Sequence, residues 1–506
     1  MRVSFASGAL AAGLIAGLST APALLSAQPG GVAPACPLDA NSPKELAVLE
    51  LQVQRARGAT TPEIRQSALK AIMKELDTKP ERFAKNPAGY NLRMAQALTM
   101  WALEPGVANV APRASLGLVT NPTESIDMLV KLDEAYKAIV AALPTCESDV
   151  KALRQNDVWL AVTRKALDAS NGGQLDSANY YAKRSLLLSQ DSPYPHYVLA
   201  NVANQRKERT AAIGHWKQVI VQSGADTSYR ELRNSSLYLL SVNQLEAAEA
   251  AKGAEQQSLA KDAAANFKAL LSATPDSPDA PNIMQSWADA LKMAGDSAAI
   301  PGIYADMLAK PAGYGDVALT MAGVIATRVN KTDDAIALNE AAIARNPNAR
   351  DALRNLAANY YAKDQFLKML APSTKLVSID PNNFDGWMMF AYAAQGIAKA
   401  AKVPAEKKAW TDSLVKYQTY AEALPVKVDV ASFQRGTKDV SLTLQFEQQA
   451  AADGTYSVTV EFLDAAGAVV GTATAPVGPL KKGETKSVAF KAAATGVSGY
   501  RYQPIK

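Results

Sequence analysis

Two adjacent stretches of this chain carry one pattern at a fixed period. Asp316–Ala349 reads DVALTMAGVIATRVNKTDDAIALNEAAIARNPNA, and Arg350–Asn383 reads RDALRNLAANYYAKDQFLKMLAPSTKLVSIDPNN. Pro347 and Pro381 stand 34 residues apart, each after a short polar turn and each followed by Asn. A constant period of this size marks stacked supersecondary units, each too small to bury its apolar face alone. Small residues recur where two helices of a hairpin must touch: Gly323, Ala335 and Ala342 in the first copy. In the second, Leu356, Ala357, Tyr360 and Phe366 fill large and small slots. Close helix crossings need a small side chain opposite a large one. Proline after Asn or Asp ends the second helix, because it lacks an N–H and restricts the residue before it.

The pair resembles the tetratricopeptide repeat. Gly323, Ala335, Ala342 and Pro347 match consensus positions 8, 20, 27 and 32, and Leu356, Tyr360 and Pro381 match 7, 11 and 32. The copies depart at position 24, where Asn339 and Ser373 replace the family's aromatic, and at position 20 of the second, where Met369 replaces Ala. The same spacing extends outward. Ala166, Gly173 and Ala178 fit positions 8, 15 and 20; Ala200, Ala212 and Trp216 fit 8, 20 and 24; Ala263, Phe267 and Pro275 fit 20, 24 and 32; Ala288 and Gly295 fit 8 and 15; Trp387 fits 4. The resemblance covers 150–424 well and 43–145 loosely.

Helix signals open the array. Ser42-Pro43 with Glu45, Thr61-Pro62-Glu63 and Asn121-Pro122 with Glu124 each read as a cap, a first-turn proline and an acidic residue. Helices are expected near 43–57, 62–77, 87–104 and 122–143. Further hairpins follow at 158–169 with 175–189, 197–206 with 210–222, 229–251 with 256–273, and 281–312. A final helix near 405–424 closes the array, as an open solenoid end requires. The loop between Glu104 and Asn121 carries Val107, Val110, Leu116, Leu118 and Val119. It is either an irregular segment tucked over the array's end or a binding loop.

At Pro425 the period changes to two: Val426, Val428, Val430; Val440, Leu442, Leu444, Phe446; Tyr456, Val458, Val460, Phe462; Val488, Phe490; Tyr500, Tyr502. Such alternation means half-buried strands, broken here at Gly436, Asp453-Gly454, Ala466-Gly467 and Lys482-Gly483. A small antiparallel sandwich is expected. Its Phe462-Leu463-Asp464 strand end and Gly483-Glu484-Thr485 turn resemble exported FxLYD-type modules, without that family's Tyr before Asp.

The fold class is therefore mainly α: a solenoid of hairpins followed by a small β-sandwich. The expected divisions are 1–27 a signal peptide, 28–42 a leader, 43–424 the helical array and 426–506 the sandwich. Arg2, the apolar stretch Gly8–Leu18 and Ser26-Ala27 form the secretory pattern; the alternative is a short membrane anchor. No later stretch is apolar enough for a transmembrane helix. Lipidation at Cys36 is not expected, because Ala33-Pro34-Ala35 before it is not a lipobox. Export would place Cys36 and Cys146 where a lone pair often bonds; the alternative is two free thiols. The protein is expected to be periplasmic or secreted.

With 53 basic and 48 acidic residues the net charge is +5, and no basic cluster interleaves with aromatics, so nucleic acid is not an expected partner. No catalytic residues, metal ligands, cofactor or small-molecule ligand are indicated. No catalytic motif stands at working spacing, and Gly478 with Gly483 lacks the phosphate-loop Lys. His196 and His215 read as exposed or satisfied helix residues. Asp289, Asp333 and Asp334 read as solvated or helix-start acids.

What remains is a surface for protein or peptide partners. The resemblance places positions 2, 5, 6, 9, 12 and 13 on a concave groove. Those positions hold Asn282, Gln285, Asp289, Lys292, Thr320, Arg328, Arg354, Asn355, Tyr361, Met388, Tyr392 and Gln395. They form either a peptide groove or a plain solvated face. The family's Lys/Asn clamp for a terminal carboxylate is absent, since Thr320/Val324 and Arg354/Ala358 occupy its places. The expected function is an exported non-enzymatic scaffold with the sandwich as a docking module. The alternative is a glycan- or ligand-binding sandwich spaced by helices.

Overall fold

The structure, a computed structural model, describes residues 36–38, 43–275, 277 and 279–506. The signal peptide expected over 1–27, most of the expected leader and the expected cap at Ser42 lie outside the described residues. The chain divides into two compact units, Met1–Asn243 and Gln244–Lys506.

The first unit contains α1 (Lys44–Arg57), α2 (Pro62–Thr78), α3 (Pro87–Leu103), β1 (Val110–Pro112), β2 (Ser125–Asp127), α4 (Met128–Ala142), α5 (Glu147–Arg154), α6 (Asp157–Asn171), α7 (Leu175–Leu188), α8 (Pro193–Gln205) and α9 (Arg209–Ser223); α10 (Arg230–Ala250) follows. Thr61 caps α2 by accepting from the Ile64 N–H at 3.4 Å. Asn86 and Asn156 cap α3 and α6 in the same way. Each such cap contributes about 1 kcal/mol. Antiparallel neighbours α3/α4, α6/α7 and α8/α9 pack as hairpins. The small residues that set the repeat are fully buried at these crossings, including Ala166, Ala178, Ala200 and Ala212 against Trp216. A disulfide joins Cys36 to Cys146, staples residues 110 apart and leaves neither thiol free. A loop of that length corresponds to about 4–5 kcal/mol in the chain-entropy account.

The helix expected over 122–143 begins only at Met128. Asn121 takes a left-handed φ of 47°, and Ser125–Asp127 is a strand paired antiparallel with Val110–Pro112. Asp127 is the true cap, accepting from Leu129 and Val130. Asn121-Pro122-Glu124 carries the local signature of a cap, but the pairing with β1 outweighs it. The segment from Glu104 to Asp127 is a strap tucked against α2, the first of the two expected possibilities. Leu116, Leu118 and Ile126 are buried in the same core as Ile72 and Trp101. At Gly117 (φ +93°) a Cβ would stand 2.5 Å from the Lys70 carbonyl oxygen. Only glycine permits that approach.

The second unit opens with the remainder of α10, then α11 (Gly253–Ala273), α12 (Ala280–Met293), α13 (Ala305–Ala309), α14 (Asp316–Arg328), α15 (Thr332–Arg345), α16 (Arg350–Ala362), α17 (Phe366–Ile379), α18 (Phe384–Ala400) and α19 (Pro404–Glu422). The hairpins α14/α15, α16/α17 and α18/α19 are regular. The unit expected over 281–312 is not. Its second arm is a 3-10 stretch, Ser297–Ile303, and the short α13, because Pro301 removes a donor where a helix would need it. Gly323 receives the buried Asn339, whose Nδ2 would lie 2.5 Å from an added Cβ. Asn339 and Ser373, which replace the repeat's aromatic, are both fully buried. The Asn339 Oδ1 and the Ser373 Oγ have no hydrogen-bond partner.

Six strands follow: β3 (Val426–Arg435), β4 (Val440–Gln448), β5 (Gly454–Leu463), β6 (Val469–Leu480), β7 (Thr485–Ala492) and β8 (Gly499–Tyr502). They form two three-stranded antiparallel sheets, β3-β4-β7 and β6-β5-β8, around Leu442, Leu444, Phe446, Val460, Phe462 and Phe490. The alternation in the sequence did not mark β6. Its inward residues Gly471, Ala473 and Ala475 are too small to make a hydrophobic period.

Candidate partner-binding groove

The two repeat-ending turns, Asn346-Pro347-Asn348 and Asp380-Pro381-Asn382-Asn383, hold the sandwich. Asn346, Asn348, Asp380, Asn382 and Asn383 are all buried. Asn382 donates its Nδ2 to the Val426 and Ile505 carbonyls and accepts from the Ile505 N–H at 2.8 Å. Its own carbonyl accepts from the Val428 N–H at 3.0 Å. Asn383 donates to the Val428 carbonyl at 3.1 Å while its Oδ1 caps α18 at Gly386. Asn346 donates to the Ser498 carbonyl and to Asp316, and Arg435 forks onto both Asp316 oxygens at 3.1 and 3.2 Å. Asp380 accepts from Arg350 Nε at 2.7 Å and from the Tyr502 hydroxyl. Burial pushes the Asp380 carboxyl above the ordinary aspartate range, against the pull of Arg350. Burial also works against the Arg350 charge, and the nearby anionic groups, Asp380 among them, more than restore it. Burial holds the Tyr500 and Tyr502 hydroxyls well above their usual value. The sandwich is thus seated on the array by a buried polar network.

That seating shapes a cavity of about 490 Å³. One wall is the first-helix face of the reference pair: Val317, Thr320 and Val324 on α14, with Asp351, Arg354 and Asn355 on α16. The other wall is β3, from Val430 to Phe433, together with Arg435 and Tyr500. Of the twelve residues expected in a groove, Thr320, Arg354 and Asn355 are gathered here. Arg354 reaches Asp385 at 3.0 Å in a pair exposed by 43% and 53%.

The other expected residues fall into two groups. Gln285 donates to Asp289 at 2.8 Å and accepts from Arg328, and Lys292 stands 4.0 Å from Asp289. Asn282 is exposed and lies beside them in sequence. Tyr361 and Tyr392 meet in a tilted arrangement, 5.7 Å between centroids, both substantially exposed, and Tyr361 also meets Phe366 at 5.9 Å. Met388 is half-buried and Gln395 exposed on α18. The β3 wall, Arg435 and Tyr500 were not among the expected residues. Nothing in their spacing signals α14 or α16, which lie far earlier in the chain.

His196 and His215 face each other across α8 and α9, with Nδ1 atoms 3.1 Å apart. Burial pushes both imidazoles below the ordinary histidine range, helped by His215 at His196 and by Lys183 at His215. Each imidazole thus has the other as the partner of its Nδ1. Among the described residues, no group of three or more His, Cys, Asp or Glu could hold a metal ion. None of the helices searched there is long and apolar enough to cross a membrane. Asp333 pairs with Lys363 and Asp334 accepts from the Tyr304 hydroxyl, which accounts for both acids.

No family model and no curated protein matches this chain. Solved structures give distant matches. MamA is 16% identical, covering 45% of this chain and 89% of its own, with a TM-score of 0.24. A thermophilic TPR protein of Thermus thermophilus is 15% identical, covering 47% and 99%, with a TM-score of 0.21. A tetratricopeptide repeat protein from Parabacteroides merdae is 13% identical, covering 58% and 93%, with a TM-score of 0.24. Scores at this level carry no argument about function. The hairpins and their packing establish the helical-repeat architecture on their own.

Proposed function

We propose that this protein is an exported, non-enzymatic scaffold that grips a protein or peptide partner in the groove lined by the first helices of its C-terminal repeats. The observation that carries the reading is the cavity bringing Thr320, Arg354 and Asn355 together at positions where repeats of this kind display side chains. Its lining mixes a guanidinium, an amide, a hydroxyl and apolar surface. That mixture suits the backbone and side chains of an extended segment. The exposed Tyr361 and Tyr392 extend the surface with aromatic area, which interfaces favour. The secretory pattern over 1–27 supports export, and the disulfide of Cys36 leaves no thiol there for a lipid. The sandwich serves this reading as part of the groove's frame.

The test is crosslinking in native cell envelopes, with partners identified for wild type and for Arg354→Glu combined with Tyr392→Ala. Loss of one defined partner in the double variant is the expected result. An unchanged partner set would sink the groove.

A further inference from the structure

β3 is an outer strand of its sheet, bonded to β4 on one side only. The array uses the first part of its other side. Asn382 and Asn383 take the Val426 and Val428 carbonyls, and the Asn382 carbonyl takes the Val428 N–H. Outward-facing groups recur every second residue along a strand, so the next N–H and C=O on this side belong to Val430. There the pairing with β4 slips, between Val430 and Ser432, and the exposed Ala431 bulges. From Val430 onward the edge runs along the cavity, opposite Thr320, Arg354 and Asn355. Proteins cover or interrupt strand edges because an open one templates pairing. Here the edge is covered up to Val428, Val430 faces the cavity, and the bulge at Ala431 interrupts the edge beyond it. A second observation lies in the same wall. Tyr500 is only 2% exposed, yet its hydroxyl has no hydrogen-bond partner. A third concerns charge. Among the described residues, Arg350 is engaged by Asp380 and Asp351 and Arg435 by Asp316, whereas Arg354 is paired with the half-exposed Asp385. Such a rim pair is weak and readily exchanged for another carboxylate.

We infer that the cavity takes an extended peptide of a partner protein as an added strand on β3. The peptide's backbone pairs with Val430, continuing where Asn382 stops, and an acidic side chain or terminal carboxylate replaces Asp385 on Arg354. The inference rests on the groove reading and deepens it. Backbone pairing supplies affinity and Arg354 supplies selection.

The test pans a library of short random peptides against the full chain. The best binder is then resynthesised with N-methyl groups at alternate residues, in each of the two parities. A strand uses every second N–H toward its neighbour, so one parity should weaken binding about tenfold or more and the other little. Hydrogen exchange over residues 428–435 should slow when the peptide binds. Enriched peptides should carry an acidic residue and should lose binding to Arg354→Glu. Peptides that need Arg354 but ignore N-methyl parity and leave 428–435 unprotected would overturn strand addition while leaving the groove reading intact. Peptides indifferent to both Arg354→Glu and Asn355→Ala would overturn both. Failure to enrich any peptide would overturn the inference. The N-methyl comparison uses unaltered protein, so it does not depend on any variant folding.

Discussion

Both units are built from helical hairpins, and both hold down a segment that is not a hairpin, but they do so with opposite electrostatics. In the first unit the strap is tied by carboxylates close to water. Asp77 accepts from the Val119 and Thr120 N–H groups at 2.7 Å and from Arg113 at 2.8 Å. Asp127 accepts from Arg184 while capping α4. At both, burial works to raise the carboxyl, and the hydrogen bonds and arginines outweigh it and hold the group below the usual range. In the second unit the sandwich is tied by buried amides and by Asp380, whose carboxyl burial pushes upward. Glu45, Glu63, Glu104 and Asp226 are also held low, and all belong to the first unit. The difference teaches that similar helical frames can be closed mainly by carboxylates held low beside arginines, or mainly by buried amides around one carboxylate that burial raises, with the partly exposed Asp316–Arg435 pair at its edge. Each closure fails under different conditions.

The largest effect is expected at the seam. Asp380→Ala leaves Arg350 charged and largely buried and strips the Tyr502 hydroxyl of its acceptor. Breaking a buried pair from one side costs about 3–5 kcal/mol. Denaturant unfolding should show that loss. Hydrogen exchange should rise across 426–505 with the first unit unchanged, and equal loosening of both units would break the comparison.

Next comes the disulfide. Cys36→Ser with Cys146→Ser should cost about 2–5 kcal/mol, read as a lower thermal midpoint. The added exchange should be confined to the first unit.

The smallest effect sharpens the electrostatic contrast. A carboxyl whose folded pKa is depressed contributes stability above its unfolded value of about 3.9 for Asp. That contribution is lost as pH falls through the folded value. A carboxyl whose folded pKa is raised contributes stability in its protonated form, present below the unfolded value and lost as pH rises through the folded one. Acidification from about pH 5 downward should therefore loosen the first unit before the second. Asp127→Asn should flatten that acid response. Exchange corrected for intrinsic rates checks both, and earlier loosening of 426–505 would contradict them.

Much of the architecture was legible in residue spacing. The period from Pro347 to Pro381, the buried alanines and the change to alternation after Pro425 each depend on local sequence, and each appears in the fold. Local reading failed where a distant partner decided. Asn121-Pro122-Glu124 signals a cap, yet β1 and Arg184 make Ser125–Asp127 a strand and Asp127 the cap. The period placed Thr320, Arg354 and Asn355 on one face, but it could not supply the facing wall.

What the chain's own periodicity determined is a set of hairpins with a known display face, because helix pairing and small-residue crossings are settled within one repeat. The tertiary structure alone decided what the Asn-Pro-Asn and Asp-Pro-Asn-Asn turns are for. A polar turn in water and a polar turn buried under a sheet have the same sequence. Only the arrival of the sandwich, with carbonyls for Asn346, Asn382 and Asn383 to satisfy, turns these residues from solvated punctuation into the seam that shapes the cavity.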